Sequence, residues 1–74
     1  MFIKDFDKVI NLDKVRYFSV EYKGEHLWQI IFEFNSEEDC CYSSFYDTQE
    51  EALEVFNDII ANYNSGKKVY EIGW

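Results

Sequence analysis

From Arg16 to Phe34 the chain alternates between apolar and polar positions. Phe18, Val20 and Tyr22 fall on one side of an extended backbone and Tyr17, Ser19 and Glu21 on the other, a period of two in β-prone residues. Lys23-Gly24-Glu25 reads as a reversal, because glycine accepts the positive φ that tight turns require. The run HLWQIIFEF, residues 26–34, then carries the strongest strand pattern: Trp28, Ile30, Phe32 and Phe34 share one face, and Leu27, Gln29, Ile31 and Glu33 share the other. Asn35-Ser36-Glu37-Glu38-Asp39 is a polar break whose side chains can bond local backbone. Cys40 to Tyr46 resumes a β-prone run, so the break joins two antiparallel strands. Upstream, residues 1–8 alternate loosely, and Val9 to Val15 reads as a short strand running into a tight turn.

The period changes after Asp47. Thr48 followed by Glu51 is a capping box, and Glu50, Glu51 and Glu54 put negative charge at the helix end that favours it. Ala52, Leu53, Phe56, Ile59, Ile60 and Tyr63 recur at three- and four-residue spacing, which predicts one amphipathic helix of about 16 residues with an apolar stripe. Gly66 is placed to end it in the left-handed conformation, with Lys67 and Lys68 at its negative end. Residues 69–74, ending in Trp74, read either as a short final strand or as a tail along the helix.

These elements predict an α+β fold: a three- to four-stranded antiparallel β-meander with one C-terminal amphipathic helix packed on one face. There is no proline, low-complexity tract, Gly/Ser linker or repeat, so residues 1–74 form a single domain. One helix covers only one face of such a sheet, and both faces of the central strand are apolar. Strong sheet curvature, the terminal segments or a second chain could cover the other face. A homodimer through an uncovered face of Trp28, Ile30, Phe32 and Phe34 is the leading expectation.

Composition adds that the packing rests on rings: seven Phe, six Tyr and two Trp in 74 residues, 20% of the chain. The formal net charge is -8, unevenly spread. Residues 24–66 hold ten acids and no Lys or Arg, whereas the flanking segments are each slightly basic. Such a field repels phosphate backbones, which argues against direct nucleic-acid binding, and it favours a basic protein partner by steering. Solubility alone also accounts for an acidic surface on an aromatic-rich domain.

No apolar segment reaches the length of a membrane span, and acids on the polar face of the helix oppose anionic lipid. With no signal-like N-terminal segment and only two adjacent cysteines, the expected location is cytoplasmic. Adjacent Cys40 and Cys41 on a strand point to opposite faces, which suits neither a zinc site nor a redox pair. His26, the lone histidine, lies beside a turn with no base or nucleophile implied. The three glycines form no phosphate loop, and no pair of carboxylates stands out. The expectation is a non-catalytic protein without cofactor or metal.

Ile10-Asn11-Leu12-Asp13-Lys14-Val15, followed by a hairpin and then Thr48 through Ile60, resembles small uncharacterised bacterial and phage-associated proteins with a β-meander and a C-terminal helix. Lys14 stands where that pattern has Asn. The resemblance spans about three quarters of the chain and implies no activity. Two functions therefore compete. One is a small accessory or interaction protein, homodimeric through the Trp28 face. The other is an acidic inhibitor or nucleic-acid mimic, of phage or mobile-element type, that presents Glu37, Glu38, Asp39, Glu50, Glu51 and Glu54 to a basic groove.

Overall fold

The computed structural model describes residues 1–36 and 38–72. The loose alternation at the start is enough for a hairpin. β1 (Phe2–Asp5) and β2 (Lys8–Asn11) pair antiparallel, with Asp5 opposite Lys8. Phe6 lies in the connecting turn at φ 55, a geometry that two-residue hairpins favour and bulky residues rarely adopt. A 3-10 turn, Leu12–Lys14, then redirects the chain, with the Asn11 side chain accepting a hydrogen bond from the Asp13 amide at 3.1 Å.

Three strands follow as one antiparallel sheet: β3 (Tyr17–Gly24), β4 (Leu27–Glu33) and β5 (Cys40–Tyr42), in that order. The β3–β4 reversal falls one residue later than the sequence suggests. His26 takes φ 57 and Gly24 takes φ 153, after a register irregularity between Tyr22 and Gly24. β5 stops at Tyr42 because the Ser43 hydroxyl, in place of a backbone carbonyl, accepts from the Ile30 amide at 2.8 Å. The chain rejoins the sheet at Tyr46, which exchanges main-chain hydrogen bonds of 2.8 and 3.0 Å with Trp28.

The helix α1 (Gln49–Asn64) begins at Thr48, whose hydroxyl accepts from the Glu51 amide at 3.2 Å. It ends in paired reverse bonds from Gly66 N to Tyr63 O and from Lys67 N to Asn62 O, both 3.1 Å, with Gly66 at φ 80. That arrangement satisfies two orphan carbonyls and needs a residue tolerant of the left-handed region. Beyond it, β6 (Val69–Glu71) runs parallel to β1, with Phe2 opposite Val69 and Ile3 opposite Tyr70. Val69–Glu71 of the tail is thus a strand, and β2-β1-β6 forms a second, mixed sheet absent from the sequence expectation. Trp74 lies outside the described residues.

One core joins both sheets to the helix. Ile3 and Ile10 from the mixed sheet meet Ile30 and Phe32 from β4, Ala52 and Ile59 from α1, and Tyr70 and Ile72 at the end of the chain. This placement corrects the expected contact surface. Ile30 and Phe32 are 0% exposed, and Trp28 and Phe34 are half-buried against the same core. The helix and the mixed sheet of the same chain cover Ile30 and Phe32, so of the expected contact surface only the half-buried Trp28 and Phe34 keep exposed area.

Tyr70 closes the helix onto β6, its hydroxyl donating to Asp58 Oδ2 at 2.7 Å. Burial, then the hydrogen bond and charge of Asp58, push the Tyr70 phenol well above its ordinary range. The folded state therefore holds this proton where the unfolded chain, ionising near about pH 10, has lost it. The stability it confers is complete below that pH and falls as pH rises further. Tyr70→Phe is expected to cost about 1–2 kcal/mol at neutral pH and to make the decline above about pH 10 shallower, read from urea midpoints across pH. A decline as steep as the parent's would show that other groups govern alkaline unfolding.

Candidate interaction surfaces

The polar arc of α1 is acidic and lacks cations. Glu50, Glu54 and Asp58 recur every four residues, which stacks them along one line of the helix with about 6 Å between neighbours. Glu51 is also exposed on this helix. Glu54 and Asp58 border a shallow groove of about 550 Å³ completed by Val55, Asn57, Ala61 and Tyr70. Among the described residues, the cations that form ion pairs do so elsewhere: Lys4 with Glu71 at 3.8 Å, Arg16 with Glu33 at 3.5 Å, Lys23 with Glu21 at 3.3 Å, and the N-terminal amine with Asp13 at 3.3 Å. The helix acids are left with their charge uncompensated.

The acidic run before the cysteines lies elsewhere. Glu38 and Asp39 are exposed in the β4–β5 connection, where Asp39 O accepts from Phe34 N at 2.9 Å and its carboxylate accepts from Asn35 Nδ2 at 3.2 Å. Glu37 lies outside the described residues. This turn adjoins the Phe34 end of β4, whereas the helix start adjoins Trp28, about 20 Å away along the strand. Of the acids expected to act together, the five described ones therefore divide into two patches.

The cysteines alternate across β5 as the strand requires. Cys41, opposite Phe32, packs against the core, while Cys40, opposite Glu33, lines the outer face. The Cys40 thiol lies 4.0 Å from the Ser36 carbonyl. That outer face, with Tyr17, Ser19, Glu21, Lys23, Ile31, Glu33 and Tyr42, is a polar shallow dish, and the Lys23 ammonium sits 5.1 Å from the Tyr42 ring centre. His26 is exposed in its turn, 3.6 Å from Glu25. No group of three His, Cys, Asp or Glu side chains among the described residues converges as a metal site would.

Sequence patterning missed the buried polar seam around Asp5. This carboxylate, 1% exposed, accepts from the Ser44 amide at 2.8 Å and the Ser44 hydroxyl at 3.2 Å. Ser43, also buried, donates its hydroxyl to the Ser44 carbonyl at 2.9 Å, and Gln29 Nε2 donates to the Ser43 carbonyl at 2.8 Å. Lys8 Nζ adds a bond of 2.9 Å to the Tyr42 carbonyl. Together these bonds fasten the first hairpin to the segment between β5 and α1. The signal lay in alternation: Asp5 shares the inward face of β1 with Ile3, and an acid there needs donors. Burial first, and then the Asp5 charge, push the Tyr46 phenol upward as well.

Exposed apolar side chains occur on the mixed sheet, at Phe2, Phe6, Val9 and Val69, and again on the flank of α1 beside β3. Leu53, Ile60 and Tyr63 of the predicted stripe are 37–47% exposed, and only Ala52 and Ile59 of that stripe are fully buried. Leu12, Val15, Phe18, Ile60 and Tyr63 line a groove of about 430 Å³ with Arg16, Tyr17 and Asn64. No helix among the described residues is long and apolar enough to cross a membrane. Set against protein-family models, curated proteins and solved structures, the chain matches none.

Proposed function

We propose that this chain is a non-catalytic, cytoplasmic protein–protein interaction domain whose acidic helix face receives a basic partner. The observation that carries the reading is the line Glu50, Glu54 and Asp58, three like charges at four-residue intervals without a cation beside them. Like charges so spaced destabilise a helix by about 0.2–0.5 kcal/mol per pair, which offsets part of what the helix dipole at Glu50 and Glu54 and the Tyr70 bond at Asp58 contribute. An opposite charge on a partner relieves the repulsion on binding and steers the encounter.

Replacing Glu50, Glu54 and Asp58 by Gln, Gln and Asn is the direct test. With the unchanged protein as bait, basic partners captured at about 50 mM salt should be released near 500 mM. The triple variant should capture them at least about tenfold less; Glu50→Gln with Glu54→Gln, which leaves the Asp58 bond to Tyr70 in place, should weaken capture with little change in melting temperature. Glu38→Gln with Asp39→Asn, on the separate patch, should leave capture intact. Equal capture by the triple variant would remove the helix face from the model.

The same line of charge favours a second reading, an acidic inhibitor that occupies a nucleic-acid groove. Duplex DNA tells the two apart. Under the inhibitor reading, DNA and this protein exclude each other from the partner; under the first, both bind together.

A further inference from the structure

We infer that the free edge of β3 is a homodimer seam, pairing antiparallel with β3 of a second copy about a two-fold axis at Val20. The inference concerns a surface apart from the acidic arc and stands independently of the reading above.

Hydrogen-bond parity locates the open groups. Trp28 exchanges main-chain bonds with Tyr46, and the Ile30 carbonyl accepts from Ser43 N while its amide donates to Ser43 Oγ, so these two residues of β4 direct both backbone groups away from β3. Their partners across the ladder, Tyr22 and Val20, are consequently in non-hydrogen-bonded pairs and direct their own N–H and C=O outward. Phe18, two residues further along, does the same. β3 is terminal in its sheet, and among the described residues no other strand pairs with this edge.

The strand is self-complementary in one register. Centring the axis on Val20 sets Val20 against its own mate and Phe18 against Tyr22, so every outward N–H meets a C=O. On the outer face Ser19 then lies opposite Glu21, and no like charges are opposed. Centring on Glu21 would place two carboxylates directly opposite each other, which is unfavourable. Centring on Ser19 would pair Tyr22 with Arg16, beyond the strand end.

Side chains on the helix side point to the same occupant. Phe18 packs against Phe56 with ring centres 5.0 Å apart and the rings tilted by 49°, which places this flank of α1 beside β3. The half-exposed Leu53, Ile60 and Tyr63 lie on that flank, away from the acids Glu54 and Asp58, which face Tyr70. Pairing the strands brings the helices of the two copies onto one face of a continuous six-stranded sheet, with these apolar flanks facing each other across the axis. Tyr22, 60% exposed in the single chain, arrives opposite Phe18, where the groove shared with Ile60 opens. The only acid on the seam, Glu21, already has Lys23 at 3.3 Å, so two chains of charge -8 meet at a nearly neutral strip.

Light scattering behind size-exclusion chromatography should read a mass near twice 9.0 kDa, little changed between low and high salt. Val20→Pro removes an outward N–H without breaking a β3–β4 bond, and Ile60→Glu charges the flank at an exposed position. Each should give a folded monomer with an unchanged far-UV spectrum. Val20→Cys, at the axis and with Cys40 and Cys41 replaced by Ser, should be joined as a covalent dimer by a short thiol-specific cross-linker, because opposed Cβ atoms of such a pair lie about 5.5 Å apart. A monomer in the unchanged protein at every concentration overturns the proposal. So does a dimer that survives Ile60→Glu and in which Val20→Cys fails to cross-link. A dimer lost in Ile60→Glu and trapped by Val20→Cys establishes the seam, even if Val20→Pro fails to fold.

Discussion

Phe32→Ala is expected to lose about 3–5 kcal/mol, the usual cost of emptying a ring-sized site in a closed core. Phe32 has no exposed surface, stacks on Phe18 at 5.7 Å, and through Phe18 and Phe56 links the sheet to the helix. A domain of this size has on the order of 4–11 kcal/mol in total, so the variant should be mostly unfolded or lose cooperative melting at body temperature. Phe32→Leu keeps most of the volume and should lose about 1–1.5 kcal/mol. Urea midpoints for the two variants measure the difference. If Phe32 were a contact residue rather than a core residue, Phe32→Ala would alter the mass in solution and leave the midpoint in place.

Asp5→Ala should be the next most damaging change, at about 2–4 kcal/mol. The loss has two parts. The charge-assisted bonds to Ser44 disappear, and the Ser44 amide is left in a partly buried site without its acceptor. Asp5→Asn retains a carbonyl oxygen for that amide and can reverse the hydroxyl bond, so it should recover at least about 1 kcal/mol of the loss. Because the seam ties the first hairpin to the helix entry, Asp5→Ala should also speed hydrogen exchange in β1 and β2 more than in β3 and β4. Losses under about 0.5 kcal/mol for Asp5→Ala would mean that packing, not the carboxylate, holds the hairpin.

The antiparallel sheet and the helix were legible because their signals are local. Alternation over eight residues of β3 and seven of β4 is read off the chain directly, and so are Thr48 at one end of α1 and Gly66 at the other. The mixed sheet was not, since it is built from strands of three and four residues, and the pairing of β1 with β6 joins opposite ends of the sequence. No periodicity in so short a run selects a distant parallel partner. The buried face of β4 could have been chosen correctly. The Ile31 face also carries Gln29 and Glu33 opposite Glu21 and Tyr17, whereas the Trp28 face is apolar throughout and is the one to bury. For the acids, adjacency in sequence misled, because Glu38 and Glu50 lie near opposite ends of the same strand.

The parallel pairing of β1 with β6 sets an order of events during synthesis. β1 lies between β2 and β6, and its inward residue Ile3 belongs to the same core as Tyr70 and Ile72. The β3–β4 hairpin and the helix can form as they leave the ribosome, since each is closed by near neighbours. The mixed sheet must wait until Val69–Glu71 has emerged, and its long loop closure makes it the slow step. Until then the first hairpin leaves Ile3 and Ile10 uncovered and one edge of β1 unpaired. A nascent chain stalled before residue 69 would thus present an aggregation-prone strand that the finished fold conceals.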